Sequence, residues 1–186
     1  EALVELMAEG LNVYAKWISV KNAKGQKLYG VKSVNGGKSW SKNGVVYESP
    51  DNTSCECCKP SVVMKGNQVY VMFRNWLNGN RDMYLVHSSD RGQTFGAAEK
   101  LGNGNWKLNG CPMDGGGIVI NQAGTPETIW QREGKIYTAS PGMNETQIGE
   151  GRNGAIETIQ TNTVNAWGGK GNIMVKKNSG ITSNIG

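Results

Sequence analysis

Ser88-Ser89-Asp90-Arg91-Gly92-Gln93-Thr94-Phe95 follows directly on Met83-Tyr84-Leu85-Val86-His87, an apolar run of β-forming residues. The same plan occurs earlier, where Ser33-Val34-Asn35-Gly36-Gly37-Lys38-Ser39-Trp40 follows Leu28-Tyr29-Gly30-Val31-Lys32. Both octets run Ser, any residue, Asp or Asn, any, Gly, any, Ser or Thr, aromatic. Tyr29 and Tyr84, Ser33 and Ser88, and Trp40 and Phe95 each stand 55 residues apart. A fixed period of this order marks a repeat architecture, and about 40–50 residues is the length of one propeller blade. The octet itself has the chemistry of a hairpin turn. Asp90 or Asn35 can accept backbone N–H bonds, and Gly37 and Gly92 can supply positive φ. Trp40 and Phe95 return the chain to the core and are expected to wedge between neighbouring sheets. Asp90 therefore reads as a turn residue, not a catalyst.

Composition supports the same class. A chain of 186 residues is long enough for one sizeable core. Its 27 glycines, with 6 Trp and 6 Tyr against 2 Phe, fit short strands and tight turns better than helices. The formal charge of +5 comes from scattered Lys and Arg without a basic run, so no nucleic-acid partner is expected. No apolar stretch approaches the roughly 18 residues of a membrane span. No signal peptide is visible, and the chain opens inside a strand pattern, so an upstream segment is expected.

Taken in order, the pattern predicts an all-β fold, a β-propeller of about three and a half four-stranded blades over residues 1–176. Unit 1–50 holds strands at 2–7, 12–17, 27–33 and 45–47, with a polar loop at 21–26. Unit 51–106 repeats it at 61–64, 68–73, 82–88 and 97–101, and Val69-Tyr70 matches Val13-Tyr14. Unit 107–150 has strands at 117–120, 127–130 and 136–139. Its turn, Ser140-Pro141-Gly142-Met143-Asn144, has lost the Asp and the aromatic. Unit 151–176 opens a fourth sheet at 155–159, 164–167 and 173–175. Residues 177–186 are polar, with no strand pattern, and are expected to fray.

The octets, with Ser33, Asn35, Gly37, Trp40, Ser88, Asp90, Gly92 and Phe95 at their key positions, resemble the Asp-box (BNR) repeat of the sialidase (neuraminidase) superfamily. The runs Cys55-Glu56-Cys57-Cys58-Lys59-Pro60, Asn109-Gly110-Cys111-Pro112 and Gly149-Glu150-Gly151-Arg152 resemble a bacterial subfamily of exported sialidase-like proteins. The resemblance implies a six-bladed ring, of which this chain supplies part. Missing blades or a second copy would then complete the ring. It also implies an active site on the face opposite the Asp-boxes, where the loops between second and third strands meet the links between blades. Glu56, Asn75, Asp82, Lys107, Gln131 and Glu133 fall on that face.

The family's mechanism uses three arginines to clamp a carboxylate, a Tyr paired with a Glu as nucleophile, and an Asp as acid/base. Arg74, Arg81, Arg132 and Arg152, with Trp76, are the candidates for substrate contact. Asp114, Tyr137 and Glu157 are catalytic candidates by residue type; the family's Arg-Ile-Pro signature is absent. Two functions follow. One is a glycoside hydrolase acting on sialic acid or another acidic sugar; the other is a non-catalytic propeller that binds a glycan or a protein. No cofactor is expected.

Four cysteines allow three full pairings. Cys58 and Cys111 each precede an inner strand of successive units, near a proline, and are expected to pair across two blades. Cys55 and Cys57 either pair across a tight turn or stay free. The alternative is a soft-metal site on Cys55, Cys57, Cys58 and Cys111, although the paired C-x2-C spacing of zinc knuckles is absent. The one histidine, His87, lies on a strand. Disulfides are preferred, and with them an extracytoplasmic location, whether periplasmic, cell-surface or secreted.

Overall fold

The computed structural model describes residues 2–19, 26–51, 53–177 and 182–185. Among these residues there are sixteen strands and no helix. The first sheet is β1 (Ala2–Glu9), β2 (Asn12–Ser19), β3 (Lys27–Ser33) and β4 (Gly44–Glu48); the second is β5 (Ser61–Lys65), β6 (Gln68–Arg74), β7 (Met83–Ser88) and β8 (Glu99–Lys100). The third is β9 (Gly117–Ile120), β10 (Pro126–Arg132), β11 (Lys135–Ala139) and β12 (Thr146–Glu150); the fourth is β13 (Arg152–Ile159), β14 (Asn162–Gly169), β15 (Asn172–Lys177) and β16 (Thr182–Ile185). Every sheet is an antiparallel meander in chain order, the blade unit of a propeller. Successive first strands pack on one another, β1 on β5, β5 on β9 and β9 on β13, so they line the axis.

The described residues therefore form four sheets, in line with the expected partial propeller of about three and a half blades and completing its last unit. A correction lies at 182–185, which the polar composition marks as a frayed end. Ile185 stands opposite Ile173 and Ser183 opposite Val175, so β16 is a paired outer strand. An edge strand pairs through its backbone on one side, and its side chains need not alternate. The loop expected at 21–26 lies outside the described residues except for Gln26, as do 178–181 and 186.

The core sits between the sheets. Tyr14, Ile18 and Leu28 of the first meet Val62, Val71 and Phe73 of the second. Met72, Met83 and Leu85 of the second meet Ile118 and Trp130 of the third, and Ile129 and Ile136 of the third meet Trp167 of the fourth. β6, between its two neighbours, is therefore covered on both faces: Val69, Val71, Met72 and Phe73 are all buried. The outer faces are different. Val4 and Leu6 on β1, and Ile159, Ile173 and Ile185 on the fourth sheet, are apolar and exposed.

The two octets fold into one hydrogen-bonded turn. Asp90 Oδ1 accepts from Ser88 Oγ at 2.7 Å and from the backbone N–H groups of Gln93 and Thr94 at 2.9 Å. Asn35 Oδ1 accepts from Ser33 Oγ and the N–H of Ser39, both at 2.9 Å. Ser88 Oγ and Ser33 Oγ in turn accept from the N–H groups of Gly92 and Gly37. Gly92 has φ +74°, and a Cβ there would strike the ring of Tyr14 on the preceding sheet. Phe95 packs against the same Tyr14, with centroids 6.1 Å apart. Trp40 does not wedge as expected. It is 43% exposed, because no described element packs over it as the first sheet packs over Phe95.

One ion pair is buried between the first two sheets. Lys16 is fully buried, with Nζ 3.1 Å from Glu5 Oε2 but not aligned as a hydrogen bond. Glu5 also accepts from the N–H of Val62 and lies 3.4 Å from Lys59 Nζ. Burial pulls the Lys16 ammonium down to about 7, against the opposing pull of Glu5.

Candidate functional site

The loops between second and third strands are short where the sequence offers a Gly for positive φ. Arg132 pairs with Lys135 and Gly169 with Asn172, leaving the two-residue turns Glu133-Gly134 and Lys170-Gly171. All four turn residues have positive φ, from +52° to +80°, the geometry that matches strand twist. These two turns and the links 112–114 and 151–153 line an open cavity of about 600 Å³ between the third and fourth sheets. Five glycines, at 134, 151, 168, 169 and 171, form much of its wall. Such a wall exposes backbone donors and acceptors to whatever enters.

The polar groups of this cavity come from the third and fourth units. Asp114 is buried at its base, where Oδ2 accepts from the N–H of Asn153 at 2.8 Å and Oδ1 from that of Gly116. Gln131 is also buried, and its Oε1 has no hydrogen-bond partner. Arg152 and Lys170 stand at the rim, both exposed. Asp114, Gln131 and Arg152 are among the sequence candidates. Asn153, Lys170 and Asn172 are not, although the repeat plan would have found the last two, since Gly169–Asn172 occupies in the fourth unit the place of Arg132–Lys135 in the third.

The remaining candidates are placed elsewhere. Arg74 is 1% exposed and donates to three backbone carbonyls: Asp114 at 2.9 Å, Arg81 at 2.7 Å and Gln131 at 2.8 Å. It ties the second unit to the third through all three guanidinium nitrogens and does not line the cavity, which sets it apart from the clamp expected of it. Arg132 forms a two-pronged bond with Glu145 and lies 4.2 Å above the Tyr137 ring, away from the cavity wall. Arg81 is buried over Trp76, 4.3 Å from its centroid. Tyr137 packs beside Trp130 in the core between the second and third sheets. Glu157 is exposed on β13 and lines a different depression with Glu5. Asn75 donates to the hydroxyl of Tyr47, and Asp82 accepts from the N–H of Trp106 and pairs with Lys100.

The cysteines converge beside this mouth. The disulfide is Cys57–Cys111, with Cα atoms 6.3 Å apart, not the expected Cys58–Cys111. The N–H of Cys58 donates to the carbonyl of Cys55, closing a turn that sends both of those side chains inward. Both are completely buried, with sulfurs 3.0 Å apart, while Cys57 is left facing the exposed Cys111. The sulfur–sulfur contact with Cys58 lowers the Cys55 thiol, opposed by burial and helped by the charges of Arg81 and Arg74. The same contact, with burial, pushes Cys58 up. All four sulfurs lie within 4.8 Å of one another.

No protein-family model matches the chain, and no curated protein matches it. Solved structures do. An endo-arabinase from Bacteroides thetaiotaomicron superposes with a TM-score of 0.56 at 12% identity, over 98% of this chain and 78% of that one. The GH43_1 enzyme from Xanthomonas citri, complexed with xylose, gives 0.60 at 9% identity, over 100% and 72%. A mutant of Trypanosoma rangeli sialidase displaying trans-sialidase activity gives 0.61 at 13% identity, over 98% and 37%. The chain is thus similar in fold to β-propeller glycoside hydrolases. At these identities the likeness is one of fold.

Proposed function

We propose that the cavity at the mouth binds a glycan, with an acidic sugar as the preferred ligand, in a propeller of glycoside-hydrolase type. The observation that carries this reading is the cavity's lining. Its volume suits a small ligand, its glycine walls offer backbone partners to hydroxyl groups, and Gln131 presents an unpaired acceptor. Arg152 and Lys170 at the rim supply cations for a carboxylate. Hydrolysis is the second reading, and Asp114 supports it as the carboxylate lining the cavity among the described residues. Glycosidases of the usual kind need two such groups, so binding ranks first. The disulfide favours an oxidising, extracytoplasmic compartment. The exposed apolar faces of the first and fourth sheets favour further blades, or a second copy, beside them.

Calorimetry against acidic and neutral oligosaccharides tests the reading. The acidic ligands bind, and Arg152→Ala with Lys170→Ala weakens them at least tenfold while sparing neutral ones. Equal loss for both classes, or no binding by either, refutes it. Turnover of an aryl glycoside that Asp114→Asn abolishes would put hydrolysis first.

A further inference from the structure

Two buried cations lie beside the cysteines, and the one carboxylate found to act on Arg74, that of Asp114, does so without reaching ion-pair distance. Arg74 is 1% and Arg81 9% exposed, and among the described residues neither has a carboxylate at ion-pair distance. Arg74 has neutral carbonyl partners, and Arg81 Nε has none. A buried guanidinium is costly unless a negative group compensates it. The sulfurs lie beside both: the N–H of Cys55 donates to the backbone carbonyl of Arg74 at 3.1 Å, and the charges of Arg81 and Arg74 both favour the Cys55 thiolate.

We propose that in the reduced protein Cys55, Cys57, Cys58 and Cys111 form a tetrathiolate site for a soft divalent cation of the zinc class. Metal–sulfur bonds of about 2.3 Å put tetrahedral sulfurs about 3.8 Å apart, and the four sulfurs already lie within 4.8 Å of one another. The ligands come from two segments, the turn at 55–58 and the link carrying Cys111, so one ion would join the second unit to the third. Four thiolates around a divalent ion carry a net charge of −2, which two guanidiniums neutralise. Exposure of Cys111 gives the ion a way in. The Cys57–Cys111 bond and the metal are alternative states of one cluster. Opening the disulfide consumes two electrons, supplied in the test by a phosphine reductant, and two protons from the water whose oxygen leaves on the phosphine oxide; the ion then displaces the remaining thiol protons to solvent.

Cobalt(II) titration of the anaerobic, phosphine-reduced chain is the test, followed by zinc competition. One equivalent binds with thiolate charge-transfer and tetrahedral ligand-field bands, and all four thiols become protected from a thiol reagent. Cys111→Ser, at an exposed position that the fold tolerates, weakens binding at least tenfold and removes the four-sulfur spectrum. Arg81→Gln weakens it while leaving the coordination bands unchanged. The oxidised protein, holding the disulfide, does not bind. Thiols that stay reactive under saturating cobalt, a six-coordinate spectrum, or equal binding by the oxidised chain or by Cys111→Ser would each overturn the proposal.

Discussion

Replacing Arg74 by Met keeps an unbranched stem and deletes the guanidinium. The buried carbonyls of Asp114, Arg81 and Gln131 then lose the donors they now have at 2.7–2.9 Å. At about 1–3 kcal/mol for each buried acceptor left unpaired, the gross loss is about 3–9 kcal/mol. Removing a buried cation recovers part of this through its desolvation, leaving a net loss of about 3–5 kcal/mol. In a chain of this size each kcal/mol moves the midpoint by about 2–4 °C, so Tm should fall by about 6–20 °C. The assay is calorimetry on oxidised, metal-free protein, which holds the sulfur cluster in one state. Arg74→Lys should fall between, because an ammonium keeps the charge but cannot fan its donors to three carbonyls. A Met variant melting within about 2 °C of the parent refutes the staple, and if that variant had also lost glycan affinity, Arg74 would return to the clamp.

The Thr94 hydroxyl and backbone N–H groups hold the Asp90 carboxyl well below the usual carboxylate range; its contribution is therefore present above its unfolded value of about 3.9 and lost as pH falls. Urea denaturation should show Asp90→Asn near the parent at pH 7, since Asn35 makes the same turn, with a shallower loss on acidification. Lys16 is lowered to about 7 when folded, so between there and its unfolded value of about 10.4 the unfolded chain holds the extra proton and stability rises with pH. Lys16→Met should abolish that rise in denaturation curves taken on either side of pH 8. Gly92→Ala should cost about 1–3 kcal/mol, from its φ of +74° and the Tyr14 ring against it, whereas the exposed Trp40→Ala should change thermal stability by less than about 1 kcal/mol.

The blade plan was legible in the residues because its determinants are local. Ser88, Asp90, Gly92 and Thr94 make their turn within a few positions, and β3 spans Lys27–Ser33, the bounds expected from its residues. The repeat also implies that equivalent loops of equivalent units fall at one end of the sheets, the end on which the expectation of a site rests. What stayed hidden depends on groups far apart in the chain. Arg74 looked like a free guanidinium until its acceptors, two of them 40 and 57 residues away, were seen to enclose it. The disulfide partner of Cys111 turned on which way the Cys55–Cys58 turn points its side chains, which spacing alone leaves open. Trp40 and Phe95 are the same residue class at the same repeat position, yet one is exposed and the other packed. The packing of one sheet on the next decides burial, and residue type does not.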